Sequence, residues 1–396
     1  MGPAGPIEKI TMEQRLQLMG KFIYALDGTN IRIMRLLHEI GPRSLLEVAR
    51  AAGLPPTSVY DRARKLEELV VALSAANLDH SKLGLKKCIT LVESYPGMED
   101  YVTEALAVPN YWKTIMRCEG GFTHYALHAI PCDRTREFEK YLAETEQAGL
   151  VRRYEAVWVT DYHYAFPNFR LYDTANRSWS FEWDRWSDLV KEKESTKAIC
   201  DPASYNIEAD RTDLHILAAL EINARTKFSE ISKLLGITLQ AVKHRYDKRI
   251  IPRGLIKQFV INVLPYPREL SDVYEVLLTF ENEESMGAFF GVSGEMFPIL
   301  RTVKVLGERK LGVRAYCPRG ETERLFAMLS GLVRAGVVSD YSAVKIRLET
   351  QSWQTVSSEL FNNETGWKYE SCQHLATLDS IVQNAKIRTD AYRVRT

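Results

Sequence analysis

No apolar run in the 396-residue sequence approaches the ~20 residues that a membrane-spanning helix needs, and Met1 to Ile10 lacks the apolar core of a secretory signal. A cytoplasmic protein without membrane contact is expected. The six cysteines (Cys88, Cys118, Cys132, Cys200, Cys317, Cys372) form no CxxC pair and follow no zinc-site spacing. Reduced, packed thiols are therefore expected, and no metal. Neither the phosphate-cradling GxxxxGK nor the nucleophile elbow GxSxG occurs. With no spacing that compels a catalytic set, the expectation is a non-enzyme without a cofactor. A charge excess is missing too: 52 Lys/Arg stand against 51 Asp/Glu, a net of +1. The mean says nothing about partners, so the distribution has to.

What is there is a repeat. Moving Asn30–Lys65 by 183 positions lays Ile33 on Ile216, Leu37 on Leu220, Glu47 on Glu230, Gly53 on Gly236, Val59 on Val242, Arg62 on Arg245 and Lys65 on Lys248. At a shift of 187, Ala148-Gly149-Leu150-Val151 meets Ala335-Gly336-Val337-Val338. At 188, Trp179-Ser180-Phe181-Glu182 meets Trp367-Lys368-Tyr369-Glu370. Three blocks in one order, with so little drift, identify a tandem duplication.

Each copy opens with three short apolar-periodic helices. In the first, Ile31–Ile40 carries Ile33, Leu36 and Leu37 on one face. Ser44 is placed to cap a helix through Ala52, with Glu47 completing a capping box. Thr57 then caps Ser58–Leu69. In the second copy the helices are Asp213–Ile222, Phe228–Leu235 and Leu239–Lys248, with Gly236-Ile237-Thr238 as the turn. This spacing predicts two helix-turn-helix heads, with Val70–Ala75 and Leu255–Val263 as wings. Downstream of each head the periodicity predicts the order βαββαβ, a ferredoxin-like unit. The fold class is α+β: two winged helix-turn-helix domains alternating with two ferredoxin-like βαββαβ domains. The expected organisation is a helical extension (1–26), winged helix-turn-helix 1 (27–80), ferredoxin-like domain 1 (81–165) and a Trp-rich extension and linker (166–209). Winged helix-turn-helix 2 (210–265), ferredoxin-like domain 2 (266–350) and a C-terminal extension (351–396) complete it.

This arrangement resembles the Lrp/AsnC family of transcriptional regulators, here in tandem. The carrying residues are Asp210, Asp213 to Leu217, Phe228 to Ile231, Gly236-Ile237 and Ala335 to Val338, with Leu26-Asp27, Asn30 to Ile33 and Gly53-Leu54 in the first copy. The resemblance implies double-stranded DNA bound through the third helix, homo-oligomers formed through the βαββαβ sheets, and a small-molecule effector between those sheets. At the turn where the family carries Gly and an acidic residue, the second copy keeps Gly307-Glu308 and the first reads Gly121-Phe122. The tryptophans Trp179, Trp183, Trp186, Trp353 and Trp367 fall outside the family pattern; Trp179, Trp183 and Trp186 could line a ligand pocket or stack on bases, but packing is expected of these three.

Charge sits where DNA contact needs it. Asp213–Lys257 holds nine Lys/Arg against four Asp/Glu, Asn30–Ala76 seven against five, and the remainder is net acidic. The expected DNA-contacting residues of the second head are Gln240, Lys243, His244, Arg245, Lys248, Arg249, Arg253 and Lys257. Those of the first are Ser58, Tyr60, Arg62 and Arg64. Its wing, Val70 to Ala76, carries no charge, which suits packing better than phosphate contact. Two other readings stay open. The same domain order occurs in sirohaem decarboxylases, for which His124, His128 and His163 are the histidines to test, and a protein-binding scaffold would use the same folds. His124 and His128, four apart on a strand, stand about 13 Å apart, too far for one metal ion. Asp161, His163 and Asp173 form no set that spacing compels.

Overall fold

The computed structural model describes residues 11–192 and 199–393. Parts of the expected leading extension, linker and tail (1–10, 193–198 and 394–396) lie outside them. The chain opens with α1 (Met12–Ala25), where Thr11 and Gln14 form a reciprocal capping box. The first head is α2 (Gly28–Ile40), α3 (Leu45–Ala52) and α4 (Pro56–Glu68), followed by β1 (Ala72–Leu78). Then come β2 (Leu85–Ser94), α5 (Glu99–Ala107), β3 (Trp112–Glu119), β4 (His124–Pro131), α6 (Thr135–Gln147) and β5 (Val151–Val159). A short β6 (His163–Tyr164), the hairpin β7 (Tyr172–Asp173) and β8 (Ser178–Trp179), and α7 (Trp183–Glu192) end the first half.

The second half repeats the order. Its head is α8 (Arg211–Ile222), α9 (Phe228–Leu235) and α10 (Leu239–Arg245), then β9 (Ile256–Val263). Its βαββαβ run is β10 (Ser271–Phe280), α11 (Glu283–Ser293), β11 (Ile299–Lys304), β12 (Lys310–Pro318), α12 (Thr322–Arg334) and β13 (Val338–Trp353). The hairpin β14 (Phe361–Asn362) and β15 (Gly366–Trp367) leads into α13 (Ser371–Arg393). In both heads the helix before the turn stops at a left-handed glycine, Gly53 (φ +63°) and Gly236 (φ +64°), as a helix C-terminus favours. Two expected caps differ. Ser44 makes no side-chain cap bond, and the backbone carbonyl of Ser44 accepts from Glu47 N instead. Thr57 lies inside α4, because Pro56 in the first turn needs no N–H partner and starts the helix earlier.

Each βαββαβ run folds as expected, with strand orders β5-β2-β4-β3 and β13-β10-β12-β11. What local pattern does not show is that the two sheets fuse. The long β13 continues the first sheet by pairing with β3 from Lys345↔Glu119 to Trp353↔Thr114. The far edges meet as well: Thr160 N donates to Lys304 O and Leu306 N to Trp158 O, both at 2.9 Å, and β6 pairs with β11 at Arg301↔Tyr164. The sheet closes on itself, which removes its free edges. Inward-facing side chains of the two units interlock, so that a Cβ at Gly312 of β12 would lie 3.8 Å from Ile89 Cδ1 of β2.

The strands expected as separate wings are not wings. β1 and β9 pair with each other, antiparallel, from Ala72↔Val263 to Leu78↔Ile256, as a two-stranded ribbon joining the heads. The apolar, uncharged composition of Val70–Ala76 is accounted for by this pairing.

The Trp-rich extensions are exchanged between halves. From the first half, α7 lies on α11 and α12 of the second unit, burying Trp183 and Trp186 beside Phe297, with Trp179 stacked on Phe297 at 4.3 Å. From the second half, α13 lies on α5 and α6 of the first unit, burying Leu378, Ile381, Val382 and Ala385. At ~200 Å² per ring, each buried tryptophan contributes up to about 5 kcal/mol. The resemblance implies association of whole chains through the faces of these sheets. Within one chain those faces line the closed sheet, and the helix layers are already roofed.

Candidate nucleic-acid interface

Each head is held by one recurring clamp. In the second, Asp210 caps α8 by accepting from Asp213 N at 3.0 Å. Arg245 of α10 donates to Asp210 Oδ2 at 2.7 Å and to Asp213 Oδ1 at 2.9 Å, and Arg249 reaches both carboxylates at 2.8 Å. Burial alone would raise the Asp210 carboxyl, but the bonds from Arg245 and the Asp213 N–H hold it below its ordinary value. In the first head Arg62 of α4 donates to the α2 cap Asp27 at 3.1 Å and to Asn30 Oδ1 at 3.0 Å. Arg62 and Arg245 are the same position in the repeat, as are Asp27 and Asp210. Three residues expected on DNA (Arg62, Arg245 and Arg249) are thus engaged inside their heads. The signal was in the alignment: arginine and capping aspartate recur together at one shift.

The remaining expected residues separate into free and partly engaged. Gln240, Lys243, His244 and Lys248 are exposed, and among the described residues their side chains have no hydrogen bond or ion pair. Thr238 starts this helix, its hydroxyl accepting from Ala241 N at 3.1 Å. Val242 is fully buried on the opposite face and anchors the helix. Beyond Arg245 the helix widens into a π-turn over Tyr246–Ile250, which keeps Arg249 on the clamp. Arg253 is exposed and donates to the Glu208 carbonyl, and Lys257 is exposed on β9. In the first head Ser58 is half-buried and Tyr60 is 49% exposed. Arg64 lies 3.7 Å from Asp61 and 3.8 Å from Glu68, surface pairs too weak to commit it.

The family model of the AsnC-type helix-turn-helix domain matches twice, at residues 26–67 and 210–248. Both heads are AsnC-type helix-turn-helix domains. The chain is 44% identical over 55 residues to the HTH-type transcriptional regulator LysM of Sulfurisphaera tokodaii, and 41% identical over 56 residues to LysM of Saccharolobus solfataricus. Each match spans 14% of this chain and 39% of the regulator. Among solved structures, the siroheme decarboxylase NirDL aligns over 90% of this chain and 98% of its own, with 11% identity and a TM-score of 0.49.

A cleft separates the AsnC-type heads, lined by Arg43, Tyr60, Arg64 and Glu67 on one side and Arg225, Lys227 and Phe228 on the other. Cross-links span it. Arg43 Nη1 donates to Ala224 O at 2.6 Å and to Thr226 O at 3.0 Å, with its guanidinium carbon 4.1 Å above the Phe228 ring. Arg225 pairs with Glu67, and Ala224 N donates to Ser74 O of the ribbon at 3.0 Å. The two AsnC-type heads are set in one mutual orientation by these contacts and the ribbon.

The histidines of the alternative reading lie elsewhere. His124 and His128 are both fully buried beneath α5, their Nε2 atoms 2.9 Å from the backbone carbonyls of Glu99 and Leu106. Burial, with Arg117 adding to it at His124, pushes both down to about 4. His163 is half-buried, lies against Phe290, and is pushed down to about 4 by burial and by Lys257. Asp161 is bound to His80 and Lys87, each at 2.8 Å, while Asp173 is occupied by the turn at Ala175 and Asn176. Asp161 lies near enough to His163 to act on its charge, whereas Asp173 is held in a separate turn, so the three form no common set. Burial pushes the Cys88, Cys118 and Cys317 thiols up to about 12, as expected of packed, unreactive cysteines, whereas Cys132, Cys200 and Cys372 are exposed, against the packing expected of all six.

Among the described residues no helix is long and apolar enough to cross a membrane, and no group of His, Cys, Asp and Glu is placed to hold a metal ion.

Proposed function

We propose that this chain is a DNA-binding transcriptional regulator of the cytoplasm that acts as a covalent pseudo-dimer. The reading rests above all on the pairing of β1 with β9. Two AsnC-type heads joined by a ribbon are a pair before any DNA is met, and linkage replaces association with a high effective concentration. Two heads at one spacing suit two half-sites on one face of a duplex.

The second head grips harder. Gln240 is suited to an adenine edge and Lys243 to a guanine edge, with His244 beside them. Lys248, Arg253 and Lys257 meet phosphates, and Ser58, Tyr60 and Arg64 give the first head a weaker contact. Arg62, Arg245 and Arg249 serve by holding the helices that carry these groups. A small ligand at the ferredoxin-like units alters the spacing of the heads through the ribbon, and any homo-oligomer uses surfaces other than the sheet faces.

The test is fluorescence anisotropy with host promoter fragments at several salt concentrations, wild type beside Lys243→Ala/Lys248→Ala. Tight binding to a subset of fragments, weakening with salt and at least about tenfold poorer in the variant, is expected. Equal binding of all fragments by both proteins contradicts the proposal.

A further inference from the structure

The cleft between the heads is built by one loop used twice. Residues 42–47 and 225–230, the same stretch of the repeat at a shift of 183, supply most of its two walls. Its volume is about 750 Å³, within the roughly 300–1,000 Å³ of small-molecule sites. The ion pairs around it leave positive charge over. Glu67 is taken by Arg225, whose Nε is shut from solvent and has no hydrogen-bond partner. Arg43 uses only Nη1, on the carbonyls of Ala224 and Thr226. Among the described residues its Nε and Nη2 donate to nothing and no carboxylate pairs with it, while burial pushes its guanidinium below its ordinary value. Lys227 is exposed and, among the described residues, unpaired. Arg64 has only its two loose surface pairs.

Two further carboxylates, Glu47 and Glu230, line the cleft. Each stands in the first turn of its own helix, α3 or α9, where it offsets the positive end of that helix's dipole. Neither helix start has a side-chain cap bond to share that task. Arg43 and Arg64 from one head and Lys227 from the other therefore face one hollow in which the chain commits no carboxylate to them. Like charges held together repel, and an anion between them removes that cost.

We propose that the inter-head cleft binds a small anion carrying two phosphate groups. A phosphate carries about −1.5 to −2 near neutral pH, so two of them match three cations where a single carboxylate does not. One phosphate takes the free guanidinium edge of Arg43 together with Lys227, a fork and a point charge that both suit phosphate oxygens. The other takes Arg64 on the opposite lip, with the hydroxyl of the half-exposed Tyr60, one turn earlier on α4, as a further donor. Bridging both lips, the anion ties the heads to each other beside the Arg43 cross-link. The inference goes beyond the regulator reading, since no part of it requires DNA.

Hydrogen exchange of the full chain tests it, with millimolar pyrophosphate, acetate or chloride at equal ionic strength. Pyrophosphate should slow exchange of the Ala224 amide at least about fivefold relative to chloride, with acetate indistinguishable from chloride and the amides of β2 and β10 unaffected. Lys227→Gln/Arg64→Gln, which alters two exposed side chains, should match wild type in chloride and lose the response. Lys243→Gln/Lys248→Gln, which removes as much charge from the exposed face of α10, should keep it. No slowing beyond chloride overturns the proposal. So does an equal response to acetate, a response kept in Lys227→Gln/Arg64→Gln, or one lost in Lys243→Gln/Lys248→Gln. Because no DNA is present, these outcomes leave the regulator reading to its own test.

Discussion

At the scale of single residues, a cation on α10 is not one kind of residue. Lys243 ends in solvent, whereas Arg245 ends on Asp210 and Asp213, the second of which is wholly buried. Arg245→Ala leaves Asp213 with only part of its charge compensation. It is expected to cost about 1–3 kcal/mol in urea unfolding, while Lys243→Ala stays within about 0.5 kcal/mol. Comparable losses in both variants would refute the clamp.

The buried histidines make a second residue-scale prediction. Burial holds His124, His128 and His163 down to about 4 in the folded chain, against an ordinary value of 6.5. Below 6.5 the unfolded chain takes up protons that the folded chain refuses. Stability is therefore full above about 6.5 and falls as pH drops towards 4, by about 1.4 kcal/mol per pH unit for each histidine. Urea midpoints measured from pH 7.5 to 4.5 should follow this slope, and a flat profile would contradict it.

At the scale of elements, the relation between heads depends on contacts with no local signature. Arg43→Ala removes two bonds to carbonyls and the stacking on Phe228. Loss of about 2 kcal/mol there should speed hydrogen exchange of the Ala224 amide roughly thirtyfold, with β2 and β10 unchanged. Unchanged exchange would show that the ribbon alone sets the heads. Much of this level was legible beforehand: the duplication, the two trios of helices and both βαββαβ runs follow from periodicity and shift. The pairing of β1 with β9 was not, because a strand's pattern shows which face is apolar but not which distant strand completes it. For the same reason a two-residue strand, His163–Tyr164, gave no warning that the sheet closes. Arg62 and Arg245 are expected on DNA because a basic helix face has the same pattern whether or not the caps of a neighbouring helix supply carboxylates to it. Their recurrence alongside Asp27 and Asp210 was the sign that they are structural.

At the scale of the whole molecule, duplication lets one chain supply what two copies would otherwise exchange. The ribbon, the closed sheet and the reciprocal roofs of α7 and α13 each take one component from either half. Truncation before β14 removes the roof over α5 and α6 and uncovers the surface under Leu378 and Ile381. Such a chain should bind an apolar dye and melt earlier than the full chain, and unchanged melting would contradict the roofing role.

The central claim is that two linked AsnC-type heads form one DNA-binding unit. Mass measurement of the complex with a promoter fragment selected by anisotropy tests it most directly. A single chain per duplex at sub-saturating protein, with both heads needed for full affinity, is the predicted result. Two chains per duplex at the lowest concentration that binds, or full affinity retained by a chain whose first head is disabled through Arg64→Ala/Tyr60→Ala, would contradict it.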